Sequence, residues 1–203
     1  MIAIIDYDAG NLRSVEKAFL YLGEPVTVTS NPAEILAADR VVLPGVGAFG
    51  DAMDKLTSKG LQHTVKEVIQ KGTPFLGICL GMQLLYDYSE EGHCEGLGIL
   101  SGTVKRFPEE AGLKIPQIGW NALEVTNSEG LLRNVPENPY VYFVHSYYVD
   151  ATDKSTVSAS VTYGARADVL VETKNIHLAQ FHPEKSGRIG LLMLKNFADG
   201  DNA

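Results

Sequence analysis

Hydrophobic and polar positions change period along this chain, and the change divides it into two halves. IAIIDYD (2–8) is a short Ile-rich run bounded by Asp and Gly, which predicts a strand. Leu12, Val15, Phe19 and Leu22 then recur at helical spacing until Gly23 stops them. PVTVTS (25–30) alternates and is rich in β-branched residues. Asn31-Pro32-Ala33-Glu34 has the form of a helix start, with Asn as N-cap, Pro at the first helical position and Glu at the third. VVLPG (41–45) reads as a buried strand entering a Gly-rich loop, 51–71 as one or two helices interrupted near Gly60, and PFLGICLG (74–81) as another strand before helical MQLLYDYS (82–89). Strands alternating with helices predict βαβ units and a largely parallel sheet.

After residue 100 the period is mostly two. TVKRF (103–107), the segment around GWNALEV (119–125), YVYFVHSYYVD (140–150), TVSASVTYG (156–164), DVLVET (168–173) and IHLAQF (176–181) read as strands. Lys174-Asn175 predicts a hairpin turn, and RIGLLMLKNFAD (188–199) a final helix with a wide apolar face. Neither a linker nor a repeat interrupts the 203 residues, so the expectation is one α/β domain over 1–203 with a strand-rich second half.

Composition narrows the function. Acidic side chains outnumber basic ones by 25 to 17, a formal charge of −8, which argues against sequence-independent nucleic-acid binding. No apolar run approaches the roughly 20 residues of a membrane helix. The N-terminus has no basic leader before Asp6, so a cytoplasmic location is expected. Two cysteines without C-x-x-C spacing make neither a disulfide framework nor a zinc site. In a reducing compartment one of them is then available as a nucleophile.

Gly77-Ile78-Cys79-Leu80-Gly81 has the form Gly-x-nucleophile-x-Gly between a strand and a helix. A tight turn there lifts the sulfur above the sheet edge, sets it at a helix N-terminus and aims the Leu80 amide at a developing oxyanion. The competing reading is a buried structural cysteine between packing glycines. Cys94 lacks this setting and reads as a loop thiol, with His93 beside it as a weak metal alternative.

A thiol nucleophile needs a base, and the base an orienting partner. His63 reads as exposed on a polar helix, His93 as a loop residue, His177 as part of a hairpin, and His145 as a packed residue of an aromatic strand. His182 ends a strand and is followed by Pro183 and Glu184, which lets Glu184 bond one ring nitrogen while the other faces the thiol. Without the elbow it would be a strand-end histidine with an incidental acid. Gly45-Val46-Gly47-Ala48-Phe49-Gly50 matches G-x-G-x-x-G but follows the third strand and lacks the acid a dinucleotide site needs. Its glycines suit a second oxyanion donor, the amide of Val46 or Gly47.

Together GICLGMQ (77–83), PGVGAF (44–49) and FHPEKSG (181–187) resemble the class I (triad) glutamine amidotransferases. YDAGNLRSV (7–15), IPQIGWN (115–121) and FVHSY (143–147) are similar to the glutaminase subunits of the imidazole glycerol phosphate synthases of histidine biosynthesis. The resemblance covers nearly the whole chain in order. It implies a flavodoxin-like fold, glutamine as substrate and no cofactor or metal. It also implies Cys79 as nucleophile, His182 as base and acid, Glu184 as its orienter, and Leu80 with Val46 or Gly47 as the oxyanion hole. Gln83, Glu91, Ser146 and Tyr147 would hold the substrate. The implied partner is a (β/α)₈-barrel cyclase subunit in a heterodimer, with Asn11, Trp120, Tyr142 and Lys185 as candidates for its face; ordinary core packing is the alternative for Trp120 and Tyr142. Other readings are a glutaminase of another pathway, such as pyridoxal phosphate or anthranilate synthesis, and a non-catalytic regulatory subunit on the same fold.

Overall fold

The structure, a computed structural model, describes residues 1–8, 10–109 and 112–200. Its first half alternates strand and helix as the pattern predicts: β1 (Ile2–Ile5), α1 (Leu12–Tyr21), β2 (Val26–Thr29), α2 (Pro32–Ala37), β3 (Arg40–Gly45), α3 (Phe49–Ser58), α4 (Leu61–Gln70), β4 (Phe75–Cys79) and α5 (Leu80–Gln83). Asn31 caps α2 through its side chain, which accepts the Ala33 amide at 3.0 Å. Strands β5 (Tyr86–Ser89), β6 (Cys94–Glu95), β7 (Leu100–Arg106), β8 (Gln117–Ala122), β9 (Glu124–Val125), β10 (Tyr140–His145), β11 (Tyr147–Ala151), β12 (Val157–Tyr163), β13 (Ala165–Thr173) and β14 (Ile176–Ala179) follow, and α6 (Gly187–Asp199) closes the described chain.

The large sheet runs β2-β1-β3-β4-β14-β13-β11-β7-β5-β6, with β12 on β13 and β9 on β12. The first five strands are mutually parallel, and β14 enters beside β4 although about a hundred residues separate them. Every residue of β4 is buried, as a central parallel strand requires. Helices α1 and α6 cover one face, where Val15, Phe19, Met193, Leu194 and Phe197 pack on Ile4, Val42 and Leu76. Helices α2, α3 and α4 cover the other with Ile35, Leu56, Val65 and Val68. This is the doubly wound α/β arrangement, with an antiparallel extension built from the second half.

Four segments depart from their pattern. The helix expected over 82–89 ends at Gln83, and Tyr86–Ser89 is a strand parallel to β7. Its alternation of Tyr86 and Tyr88 with Asp87 and Ser89 is a period of two, which wins once β7 offers a paired edge. The single strand expected over 140–150 is two strands in different sheets: β10 pairs only with β8, while β11 joins the main sheet, and the chain crosses between them at Ser146. The segment 119–125 likewise divides into β8 and β9, and Cys94 sits in the two-residue β6 rather than a loop.

Helix α6 packs closely over the turn that follows β14. A Cβ added at Gly190 would overlap the carbonyl oxygen of Pro183. Gly190→Ala should therefore lower unfolding free energy by about 3 kcal/mol, read as a shift of the urea midpoint without a change of slope.

Candidate active site

The parallel strands β3, β4 and β14 end together, and the candidate site is built on those ends. Cys79 is the last residue of β4, level with Gly45 of β3, while Ala179 of β14 is level with Ile78. Its backbone has φ 55 and ψ −113, left-handed space that an L-residue occupies only when its surroundings impose it. The surroundings are tight. A Cβ on Gly81 would overlap the Leu43 carbonyl oxygen; one on Gly77 would lie 2.7 Å from Leu178 and 2.8 Å from the Gly81 oxygen. The two readings of this stretch are therefore compatible: the glycines are packing glycines, and their packing enforces the elbow. Tyr7, fully buried, puts its hydroxyl under the same turn with no hydrogen-bond partner among the described residues, and burial, then the sulfur, raise its phenol's pKa.

His182 follows β14 and opens a 3₁₀ turn, Pro183–Lys185. Strand β10 ties the turn down: the His182 amide donates to the Tyr142 carbonyl at 3.0 Å, and the Tyr142 amide donates to Ser186 Oγ at 3.0 Å. Ser186 Oγ in turn donates to the His182 carbonyl at 2.7 Å. His182 Nδ1 meets Glu184 Oε1 at 2.7 Å, both side chains being buried. Glu184 Oε1 also accepts from Asn11 Nδ2. With Nδ1 donating to the carboxylate, Nε2 is the nitrogen left for the thiol. Among the described residues it makes no hydrogen bond of normal geometry, yet the sulfur acts on it. Burial works to lower the His182 pKa, but the interactions with Cys79 and Glu184 outweigh it and lift the value from 6.5 to about 9.

His145 has the opposite fate. It is buried among Phe107 and Phe143, its Nδ1 donates to the Tyr147 carbonyl at 2.8 Å, and burial lowers its pKa to about 4. It is a core residue, as its aromatic strand predicts, and it also lines the cavity beside the thiol.

That cavity is about 430 Å³, within the range of small-ligand sites. Val46, Gly47, Cys79, Leu80, Gln83, Glu91, Ser146 and Tyr147 all line it, so the structure brings together every residue expected at the oxyanion hole and substrate. Lys185 stands at its rim, exposed. Glu91 is already engaged, since its Oε2 accepts the Phe49 amide at 2.9 Å and so clamps the end of the 45–48 loop to the β5–β6 hairpin. A larger cavity of about 600 Å³ lies between Asn121 and Arg166, but it holds no cysteine or histidine.

The four residues expected at a partner face separate. Trp120 is 55% exposed and packs edge-on against half-buried Tyr142, with ring centroids 6.1 Å apart, so core packing does not account for it. Asn11 is half-buried and its amide is spent on Glu184. It belongs structurally to the Cys79–His182–Glu184 group, a role its place in YDAGNLRSV does not reveal. Sequence reasoning does not single out Gln180 either, although a lone polar residue in the apolar run IHLAQF marks it; it is fully buried beside Cys79. Among the described residues no group of three His, Cys, Asp or Glu is placed to hold a metal, and Cys94 and His93 bond locally to the Gly92 carbonyl and the Tyr88 hydroxyl.

The family profile described as glutamine amidotransferase class-I matches residues 3–199. The chain belongs to the class-I glutamine amidotransferases. Within that family it is 51% identical to imidazole glycerol phosphate synthase subunit HisH of Thermosynechococcus vestitus, over 97% of this chain and 95% of that protein. It is 50% identical to the HisH protein of Moorella thermoacetica, over 98% and 94%. Among solved structures, a glutamine amidotransferase shares the fold with a TM-score of 0.76 at 20% identity, covering 98% of this chain and 100% of that one. A glutamine amidotransferase from Thermotoga maritima does so at 0.64 and 19%, covering 98% and 82%. No helix among the described residues is long and apolar enough to cross a membrane.

The pKa raised at His182 gives a sign that can be measured. Its folded value lies above the free-imidazole value, so its contribution to stability is complete below about 6.5 and is lost as pH rises through about 9. By NMR its ring should titrate near pH 9 in the resting protein, and Cys79→Ala should move that midpoint down, because two of the raising interactions involve the sulfur. His145 should stay neutral until about pH 4.

Proposed function

We propose that this chain, 1–203 acting as one domain, is the glutaminase subunit of an imidazole glycerol phosphate synthase. It hydrolyses L-glutamine and supplies the ammonia to a (β/α)₈-barrel cyclase chain. The observation that carries the chemistry is a thiol on a strained strand end, facing a buried imidazole whose far nitrogen is held by a carboxylate at 2.7 Å. The pathway rests on the half-identical relatives that share nearly the full length.

In this reading the Cys79 thiolate attacks the carboxamide carbon and forms the C–S bond. The carbonyl electron pair moves onto oxygen, which the amides of Leu80 and of Val46 or Gly47 receive. When the carbonyl re-forms, the C–N bond breaks, and the nitrogen takes a proton from the His182 imidazolium and leaves as ammonia. Water then adds to the γ-glutamyl thioester as His182 takes its proton. The C–S bond breaks, glutamate leaves, and the proton returns to the Cys79–His182 pair. Glu184, held in turn by Asn11, keeps the imidazole in the tautomer that faces sulfur. Gln83 would contact the substrate, Glu91 suits its ammonium group, and Ser146 and Tyr147 its amino-acid end.

The cyclase would dock on the outward face of the small β8–β10 sheet. Ile118, Trp120 and Tyr140 are each more than half exposed there, flanked by Tyr142, with Lys185 nearby at the cavity rim. A cluster of large apolar side chains beside a site that releases a small neutral product suits a partner that receives it. Cys79 and Cys94 are free thiols, which fits the reducing cytoplasm.

Glutamate release should be measured with this chain alone and with the cognate cyclase and its nucleotide ligand. Release should rise with the cyclase, and Cys79→Ala should lower it by at least about 10⁴-fold. Turnover indifferent to the cyclase would redirect the reading to a glutaminase of another pathway; no turnover by folded protein in either condition would leave a regulatory role. Trp120→Ala should weaken cyclase binding by about 2 kcal/mol, some thirtyfold in Kd, without changing the turnover of the isolated chain.

A further inference from the structure

We propose that Gln180 is a positioning residue for the Cys79 sulfur, held in one orientation by a relay of hydrogen bonds that begins at the Tyr147 carbonyl. The inference rests on Cys79 being the nucleophile. Gln180 lies between β14 and His182, is fully buried, and places Nε2 3.7 Å from Cys79 Sγ. Its Oε1 accepts from Gln83 Nε2 at 2.8 Å. Gln83 Nε2 also donates to the Tyr147 carbonyl at 3.0 Å, and the same carbonyl accepts from His145 Nδ1 at 2.8 Å.

The direction of this relay follows from chemistry. A backbone carbonyl can only accept, so the Gln83 atom facing it must be the amide nitrogen. Both N–H groups of Gln83 are then used, one on Tyr147 and one on Gln180. The Gln180 atom facing Gln83 must therefore be its oxygen, which leaves its nitrogen facing the sulfur. Flipping either amide would set two acceptors or two donors against each other in a buried place, at a cost of about 1–3 kcal/mol. The sulfur thus meets an N–H donor that cannot become an acceptor. Such a donor bonds a thiolate more strongly than a thiol, and it fixes the direction in which the sulfur lone pairs point. The relay also joins the segment expected to hold the substrate's amino-acid end, 146–147, to the reacting atom. Other titratable groups lie around the sulfur: His182, just before the 183–185 turn, and Tyr7, two residues past β1, interact with it, while Glu91 and Lys185 line the same cavity.

The test is the pH profile of Cys79 alkylation by iodoacetamide, followed by peptide mass spectrometry in a Cys94→Ser background. It needs no glutamine turnover. Gln180→Glu keeps an oxygen for Gln83 but sets an oxygen against the sulfur, and Gln180→Met removes the donor at similar volume. The alkylation midpoint should rise by about one pH unit in Gln180→Glu and by less in Gln180→Met. In glutamine hydrolysis kcat should fall about tenfold while KM changes less than about threefold. Folded variants whose alkylation midpoint stays at the wild-type value would reduce Gln180 to a structural bridge and overturn the proposal. Should neither variant fold, the wild-type protein decides: the Gln180 side-chain NH₂ resonance should shift with the alkylation midpoint, and a resonance that does not move across it overturns the proposal. A shifted alkylation profile in a chain that turns over no glutamine would support the role of Gln180 and remove the glutaminase reading.

Discussion

The close contact between Gly81 and the Leu43 carbonyl sets the position of everything around it. No side chain fits there, so the first turn of α5 lies directly on β3 and the chain must reverse within one residue of β4. Cys79 takes up that reversal in left-handed space, at a typical cost of about 1–3 kcal/mol. The cost is offset by hydrogen-bonded parallel strands on both sides of β4 and by a core with no exposed residue along that strand. The helix after the elbow is only one turn long, so its dipole is small and the charge that faces the sulfur comes from His182.

Two histidines a short distance apart show how environment, and not residue type, assigns chemistry. His145 and His182 are both buried, and burial alone lowers both. His145 has a carbonyl on one nitrogen and aromatic rings around it, and the carbonyl alone favours a second proton too little to offset burial. His182 has a carboxylate on one side and a thiol on the other, so the proton is held. Each also affects the other, because the charge on His182 further disfavours one on His145. A neutral imidazole can hold the Tyr147 carbonyl without competing for the proton on His182.

What is legible in the sequence has local causes. The elbow, the N-cap of α2, the break at Gly60 and the 174–175 hairpin each follow from residues a few positions apart. That Cys79, His182 and Glu184 come together is legible because a thiol on an elbow, a strand-end imidazole and an acid two residues beyond it are few in this sequence. The sequence pattern misleads where pairing across the chain decides the outcome. Tyr86–Ser89 has an acceptable helical pattern until β7 is beside it. YVYFVHSYYVD is a continuous β run, and nothing within it says that residues on either side of Ser146 serve different sheets. Asn11 and Gln180 escape notice as parts of the site for the same reason, since their partners, Glu184 and Cys79, lie 173 and 101 residues away.

The break at Ser146 is also what makes one strand serve two surfaces. Because β10 leaves the main sheet, its outward positions, Tyr140 and Tyr142, stand beside Trp120 and Ile118 on an exposed apolar face. Its inward positions, Phe143 and His145, pack against Phe181 and Phe107 next to the thiol. Its backbone at Tyr142 accepts from the His182 amide and donates to Ser186, so the imidazole hangs on the strand whose other side is exposed. Had 140–150 remained one strand in the main sheet, the aromatic face would be buried in a layer of the core, and the His182 turn would have no rigid edge to bond. The two-stranded sheet is small, yet it fixes the imidazole relative to the sulfur and presents the surface on which a second chain would sit.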